Sequence, residues 1–173
     1  LSALDAAVGG FDQRETLRYL RSALSPVNSD TCDQLENYAV IWGIRGSKWT
    51  QSWTGHPEGL GGQWDDDARK TLTWLNEVRY QVVAPLQRLQ SGFRDAKNLR
   101  GQVLALTAFL EDIRLQQQLT QMAQELDETG SPREAQILNQ LWEILLSALE
   151  QMYAVLGDTV WEPEHFSRLF RLL

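Results

Sequence analysis

"LENYAVIWGIRGSKW", residues Leu35–Trp49, opens as a helix and closes as something else. Leu35, Tyr38, Ala39 and Trp42 recur at the three- and four-residue spacing of one helical face. Gly43 and Gly46 then break the pattern around a cationic, aromatic run, Arg45, Lys48 and Trp49. The segment that follows, up to Gln63, completes a stretch holding half of the chain's 12 glycines and showing neither helical nor strand periodicity. The expectation is a helix ending near Gly43 and a long loop from Gly43 to Gln63. Loops beyond about 12 to 15 residues are uncommon in compact domains and are usually functional or mobile.

Working outward, the remaining sequence reads as helix after helix. "GGFDQRE" offers Asp12 as a cap, with Glu15 three residues on, before Leu17, Leu20 and Leu24. Pro26 and Asn28 make a turn, and Ser29, Asp30 or Thr31 can start the helix that carries Leu35. From Asp65, the run "DDDARKTLTWLNEVRYQVVAPLQRLQSGF" places three carboxylates at a positive helix end and an apolar seam of about 3.5-residue period behind them. Pro85 removes a backbone donor and is expected to kink or split that helix. "NLRGQVLALTAFLEDIRLQQQLTQMAQELDETG" reads as two helices or one broken helix closed by Gly130. Ser131, Pro132 and Glu134 begin a helix ending at Gly157, apolar over so wide a face that it is expected at the centre of the bundle. A last helix starts at Pro163.

With no turn-bounded alternating run, the fold class is all-α: one multi-helix bundle over residues 1–173 with a single long Gly-rich loop. The composition is that of an ordinary globular protein, long enough for one well-buried core. No apolar run approaches the roughly 18 residues of a membrane span, no signal-peptide layout opens the chain, and a cytoplasmic location with no membrane partner is the reading. Position 1 is Leu rather than Met, and the chain stops on "FSRLFRLL", an apolar stripe of Phe166, Leu169, Phe170 and Leu173. A segment cut from a longer protein is therefore expected, although a processed chain would look alike.

The chemistry is sparse. Neither a phosphate-cradling glycine loop ending in Lys-Ser or Lys-Thr, a zinc-protease helix motif nor a nucleophile elbow occurs. The lone cysteine, Cys32, cannot form an internal disulfide, and it reads as a small buried residue unless its place near a helix start lowers its thiol pKa. Asp65, Asp66 and Asp67 point about 100° apart on a helix and do not converge on one ion. His56 and His165 have no evident catalytic partner. Catalytic, cofactor-binding and metal residues are accordingly expected to be none. A net charge of −7 argues against a free-standing nucleic-acid binder but leaves room for a local patch. In the loop, Arg45 and Lys48 can meet phosphates, and Trp49 and Trp53 offer faces for unpaired bases. The competing reading folds the tryptophans back as a lid with the cations in solvent.

The same opening stretch resembles the AddB (RexB) family, one of the two subunits of a bacterial ATP-dependent helicase/deoxyribonuclease. The pattern "LENY-x4-GI-x-G-x-x-W" is matched at Leu35, Glu36, Asn37, Tyr38, Gly43, Ile44, Gly46 and Trp49. "ETLRYLRSALSP" upstream and "NQLWEILLSALEQMYAVLGDTVWEPEHFSRLF" downstream resemble the same family in the same order. The resemblance implies a helical insertion of the 2B type, without catalytic residues, in a subunit acting in double-strand-break repair and recombination. It implies ATP, magnesium and a four-cysteine 4Fe–4S cluster elsewhere in the parent chain. The implied partners are the remainder of the AddB-like subunit, an AddA-like helicase–nuclease subunit, and DNA. An independent helical adaptor binding a protein through the C-terminal apolar stripe is the alternative.

Overall fold

A computed structural model describes residues 1–171, so Leu173 of the C-terminal stripe lies outside the described residues. Among the described residues there are eight α-helices and no strand: α1 (Ser2–Val8), α2 (Gln13–Leu20), α3 (Ser29–Ile41), α4 (Asp66–Asp95), α5 (Leu99–Asp112), α6 (Leu115–Glu128), α7 (Pro132–Leu156) and α8 (Pro163–Phe170). The all-α expectation holds. No helix is long and apolar enough to cross a membrane. The chain divides into two compact units, residues 1–90 and the residues from Ser91 onward, with the division falling inside α4.

The first unit begins with a helix that the sequence reading passed over. α1 is short and buries Ala3, Leu4, Ala6 and Ala7, and its small residues let α2 pack closely against it. Gln90 of α4 donates to the Ala7 carbonyl at 3.1 Å, satisfying a group at the helix end that has no intrahelical donor. Asp12 caps α2 by accepting from the Arg14 amide at 3.0 Å. α2 stops at Leu20, leaving Leu24 beyond it, and its buried residues are Thr16, Tyr19 and Leu20. The cap of α3 is Asn28, one residue earlier than expected, accepting from Thr31 N at 2.9 Å. An Asn side chain does this as well as Ser or Asp. α4 passes through Pro85 as one 30-residue helix rather than two, while Leu75, Val78, Val82, Leu86 and Leu89 form the expected buried seam.

The second unit packs α5, α6, α7 and α8. Arg114 takes a left-handed conformation (φ 53°) between α5 and α6, so the broken-helix alternative resolves into two helices. The turn after α7 caps α5 from outside: Leu99 N–H donates to Thr159 O at 2.8 Å and Arg100 N–H to Gly157 O at 2.9 Å. The buried Gln102 amide reaches Trp161 O at 2.7 Å. Arg100 lies 4.5 Å from the Tyr153 ring and pairs with Asp158 at 3.2 Å. Phe166 of α8 is fully buried, edge-on to Phe93 at 5.0 Å.

α7 differs from expectation. It packs on α6 and α5, but only Ala135, Leu149 and Met152 are buried, so it is not the central helix. Ile137, Leu141, Ile144 and Val155 remain 42 to 79% exposed. The wide apolar face is real, yet the unit's own helices cover only one side of it. Pro132 takes the first helical position as predicted, while Ser131 makes no side-chain capping bond.

Candidate nucleic-acid interface

The cation-bearing loop is built on the end of α3. Gly43 has φ 55°, a left-handed position that glycine adopts without the Cβ clash other residues incur. Ile44 N–H donates back to Ala39 O at 2.8 Å, closing the helix. The Lys48 ammonium lies 3.3 Å from Gly43 O and 3.5 Å from Trp42 O, so it caps the negative end of α3. Gly46, also left-handed at φ 58°, donates to Phe11 O at 2.9 Å and opens a short 3₁₀ turn, Gly46–Thr50. That turn is the one piece of regular structure in a segment expected to have none.

The turn drives Trp49 inward. Trp49 is 0% exposed and Trp53 5%, so the aromatic half of the predicted stacking platform lies inside the unit. Trp53 stacks on Tyr38 with ring centres 4.5 Å apart and planes 9° from parallel, and it meets Trp49 at 5.5 Å. Burying two indoles is the main local driving force, on the order of 25 cal/mol per Å² of apolar surface. Arg45 and Lys48 are exposed on the outer side of the same turn. The structure therefore separates the three predicted residues: two cations outside, and Trp49 beneath them as an anchor.

Residues of α4 fasten this anchor, and the sequence reading missed them. Asn76 accepts from Trp53 N–H at 2.7 Å and donates to Trp53 O at 3.0 Å, pairing with the loop backbone as a strand neighbour would. Arg79, only 6% exposed, donates to Trp49 O at 2.8 Å, and its guanidinium carbon lies 5.9 Å from the Trp53 ring centre. Burial pulls its pKa below the usual guanidinium value, because desolvation disfavours the charged form. Carbonyl dipoles and an aromatic face offset part of that cost. In the sequence, Arg79 sits at the seam position shared with Val78, and a polar residue on an apolar seam was the available signal.

The rest of the loop folds over α3. The Tyr38 hydroxyl donates to Gly55 O at 3.1 Å and Trp42 Nε1–H to His56 O at 3.0 Å. A Cβ on Gly55 would fall 2.3 Å from the Trp42 ring, so only glycine allows this approach. Burial pushes the Tyr38 phenol upward, partly opposed by the bond to Gly55. His56 is 6% exposed and has both nitrogens engaged. Glu58 N–H donates to Nδ1 at 3.1 Å, which leaves Nε2–H to donate to Gln63 O at 3.1 Å. Its ring meets Trp64 edge-on at 4.8 Å. His56 thus acts as a loop brace.

The other candidates fall into structural roles. Asp65 caps α4 by accepting from Ala68 N–H at 2.7 Å, and Asp67 pairs with Lys70 at 3.2 Å. Among the described residues no group of three His, Cys, Asp or Glu side chains is placed to hold a metal ion. Cys32 is buried, and burial pushes its thiol pKa upward, away from reactivity. His165 is exposed on α8.

What the geometry defines is an all-helical segment with a pinned aromatic loop presenting two cations. No family model matches the chain. Individual relatives do. An ATP-dependent helicase/deoxyribonuclease subunit of the AddB type from Anoxybacillus flavithermus is 36% identical over 138 residues, 78% of this chain and 12% of that protein. Proteins of the same name from Pelotomaculum thermopropionicum (30% over 175 residues) and Acetivibrio thermocellus (27% over 175 residues) match 96% and 99% of this chain, and 15% of their own length. The chain is a segment of the AddB family of ATP-dependent helicase/deoxyribonuclease subunits. It spans 12 to 15% of the length of the relatives it matches.

Proposed function

We propose that the chain is the helical accessory domain, of the 2B type, of an AddB-like subunit acting in DNA double-strand-break repair and recombination. The supporting observation is the match to AddB-type proteins across almost the whole chain. In this reading the domain contributes no catalytic residue, and ATP, magnesium and a 4Fe–4S cluster belong to other parts of the parent polypeptide. The domain packs against the remainder of that polypeptide and an AddA-like partner in the cytoplasm. Arg45 and Lys48 line a DNA path, with Trp49 holding the turn that presents them. A buried indole beneath two surface cations fixes their spacing, so less side-chain and loop entropy is lost when phosphates bind.

A forked-DNA titration of the assembled complex over a range of salt concentrations tests the DNA contact. Loss of two phosphate contacts in the Arg45→Ala/Lys48→Ala double variant is expected to weaken binding at low salt and to reduce the salt slope by about 1.8 if the contacted DNA is duplex, or about 1.4 if it is single-stranded. Unchanged affinity and slope would remove DNA contact from the reading. Because Lys48 also caps α3, a melting curve of each variant accompanies the titration.

A further inference from the structure

Ile137, Leu141, Ile144 and Val155 are 58, 42, 61 and 79% exposed, and their spacing of four, three and eleven residues aligns them along one side of α7. Ala148 fills the gap in the same line. This stripe is separate from the buried side, marked by Ala135, Leu149 and Met152, that packs within the unit. Its borders between Ile137 and Val155 carry Gln140, Ser147 and Gln151, whereas Glu143 and Glu150 fall on the far side of the helix.

We infer that this face of α7 is the seat of another part of the same polypeptide, one presenting an apolar surface of its own. The inference rests on the reading of the chain as part of an AddB-like protein, and it specifies which surface meets the remainder. Two observations select that occupant. First, the relatives are matched over only 12 to 15% of their length, so the family carries ample polypeptide to cover the face. Second, the stripe has no charged border. Association of separate chains gains rate and specificity from complementary rim charges. A tethered segment arrives at high effective concentration and needs no such steering. An uncharged apolar stripe of this kind, left open, would also invite aggregation, which a permanent covering prevents.

Site-specific photo-crosslinking in the full-length natural polypeptide, expressed with its AddA-like partner, tests this. A benzophenone side chain replaces Ile144, and mass spectrometry identifies the crosslinked peptides. A second probe at the half-buried Leu138, expected to crosslink within residues 99–128, confirms that α7 is folded, and a third at the exposed Glu150 measures background. The expected result is an intrachain crosslink from position 144 to residues outside this 173-residue segment, at least tenfold above the Glu150 background. A crosslink to the AddA-like partner, to a second copy or to DNA would overturn the inference and leave the accessory-domain reading standing. Background-level crosslinking at 144 with an efficient Leu138 control would also overturn it. A full-length polypeptide that ends with this segment would instead defeat the accessory-domain reading itself.

Discussion

The loop of residues 43–64 and the helix α7 invert each other. The loop is rich in glycine and polar residues, the composition of exposed chain, yet it holds Trp49, Trp53 and His56 at 0, 5 and 6% exposure. α7 has the composition of a core helix, yet it leaves Ile144 61% and Val155 79% exposed. The difference lies in partners. Each loop aromatic meets a group shaped for it: Tyr38 under Trp53, the Arg79 guanidinium at the Trp49 carbonyl, and the Gly55 backbone against Trp42. α7 has neighbours on one side only. Apolar composition states that a surface needs covering, and the fold decides what covers it.

The largest expected effect tests the loop half of this comparison. Trp49→Ala removes a fully buried indole and should lower unfolding stability by about 3 to 5 kcal/mol in chemical denaturation. A loss below about 1 kcal/mol would mean the loop is not integral to its unit.

Next comes a pH effect in the same unit. Tyr19 is 2% exposed, and burial pushes its phenol from 10.0 to about 12. The folded state therefore keeps a proton that the unfolded chain releases, so this stabilisation is intact below pH 10 and is lost as the pH rises from 10 to 12. Its size is about 2 to 3 kcal/mol across that window. Tyr19→Phe should flatten this part of the alkaline stability profile, and an unchanged slope would show that the phenol is not the group responsible.

Asn76→Ala removes both bonds to the Trp53 backbone and should cost about 1 to 3 kcal/mol, in a position half-exposed and inconspicuous in sequence. Smallest of all is Ile144→Ser on the open stripe of α7. In the isolated segment it should change stability by no more than about 0.5 kcal/mol, while reducing self-association in ultracentrifugation. A large loss there would show that the stripe is covered from within the unit, and the contrast with the loop would disappear.

Most of the helical layout was legible because capping and periodicity are local. Asp12, Pro132, Gly130 and Gly157 marked ends that the structure places where expected. α1 escaped because its seven residues are too few to display a period. α3 starts one residue early because Asn28, read as a turn residue, serves equally well as a cap. Of the candidate site, the loop limits and the outward cations were readable. The inward turn of Trp49 was not, since it depends on Asn76 and Arg79, more than 20 residues further along the chain. The AddB resemblance, read from Leu35–Trp49, corresponds to relatedness along almost the whole segment, and the residues that carry it include the buried Tyr38 and Trp49.

Amide hydrogen exchange across residues 43–64, followed residue by residue, tests the central claim of a pinned loop most directly. The Trp53 and Gly46 amides, bonded to Asn76 Oδ1 and Phe11 O, are predicted to exchange as slowly as neighbouring amides of α3. In Asn76→Ala, Trp53 should lose that protection selectively. Exchange of both amides at free-peptide rates in the unsubstituted chain would contradict the account.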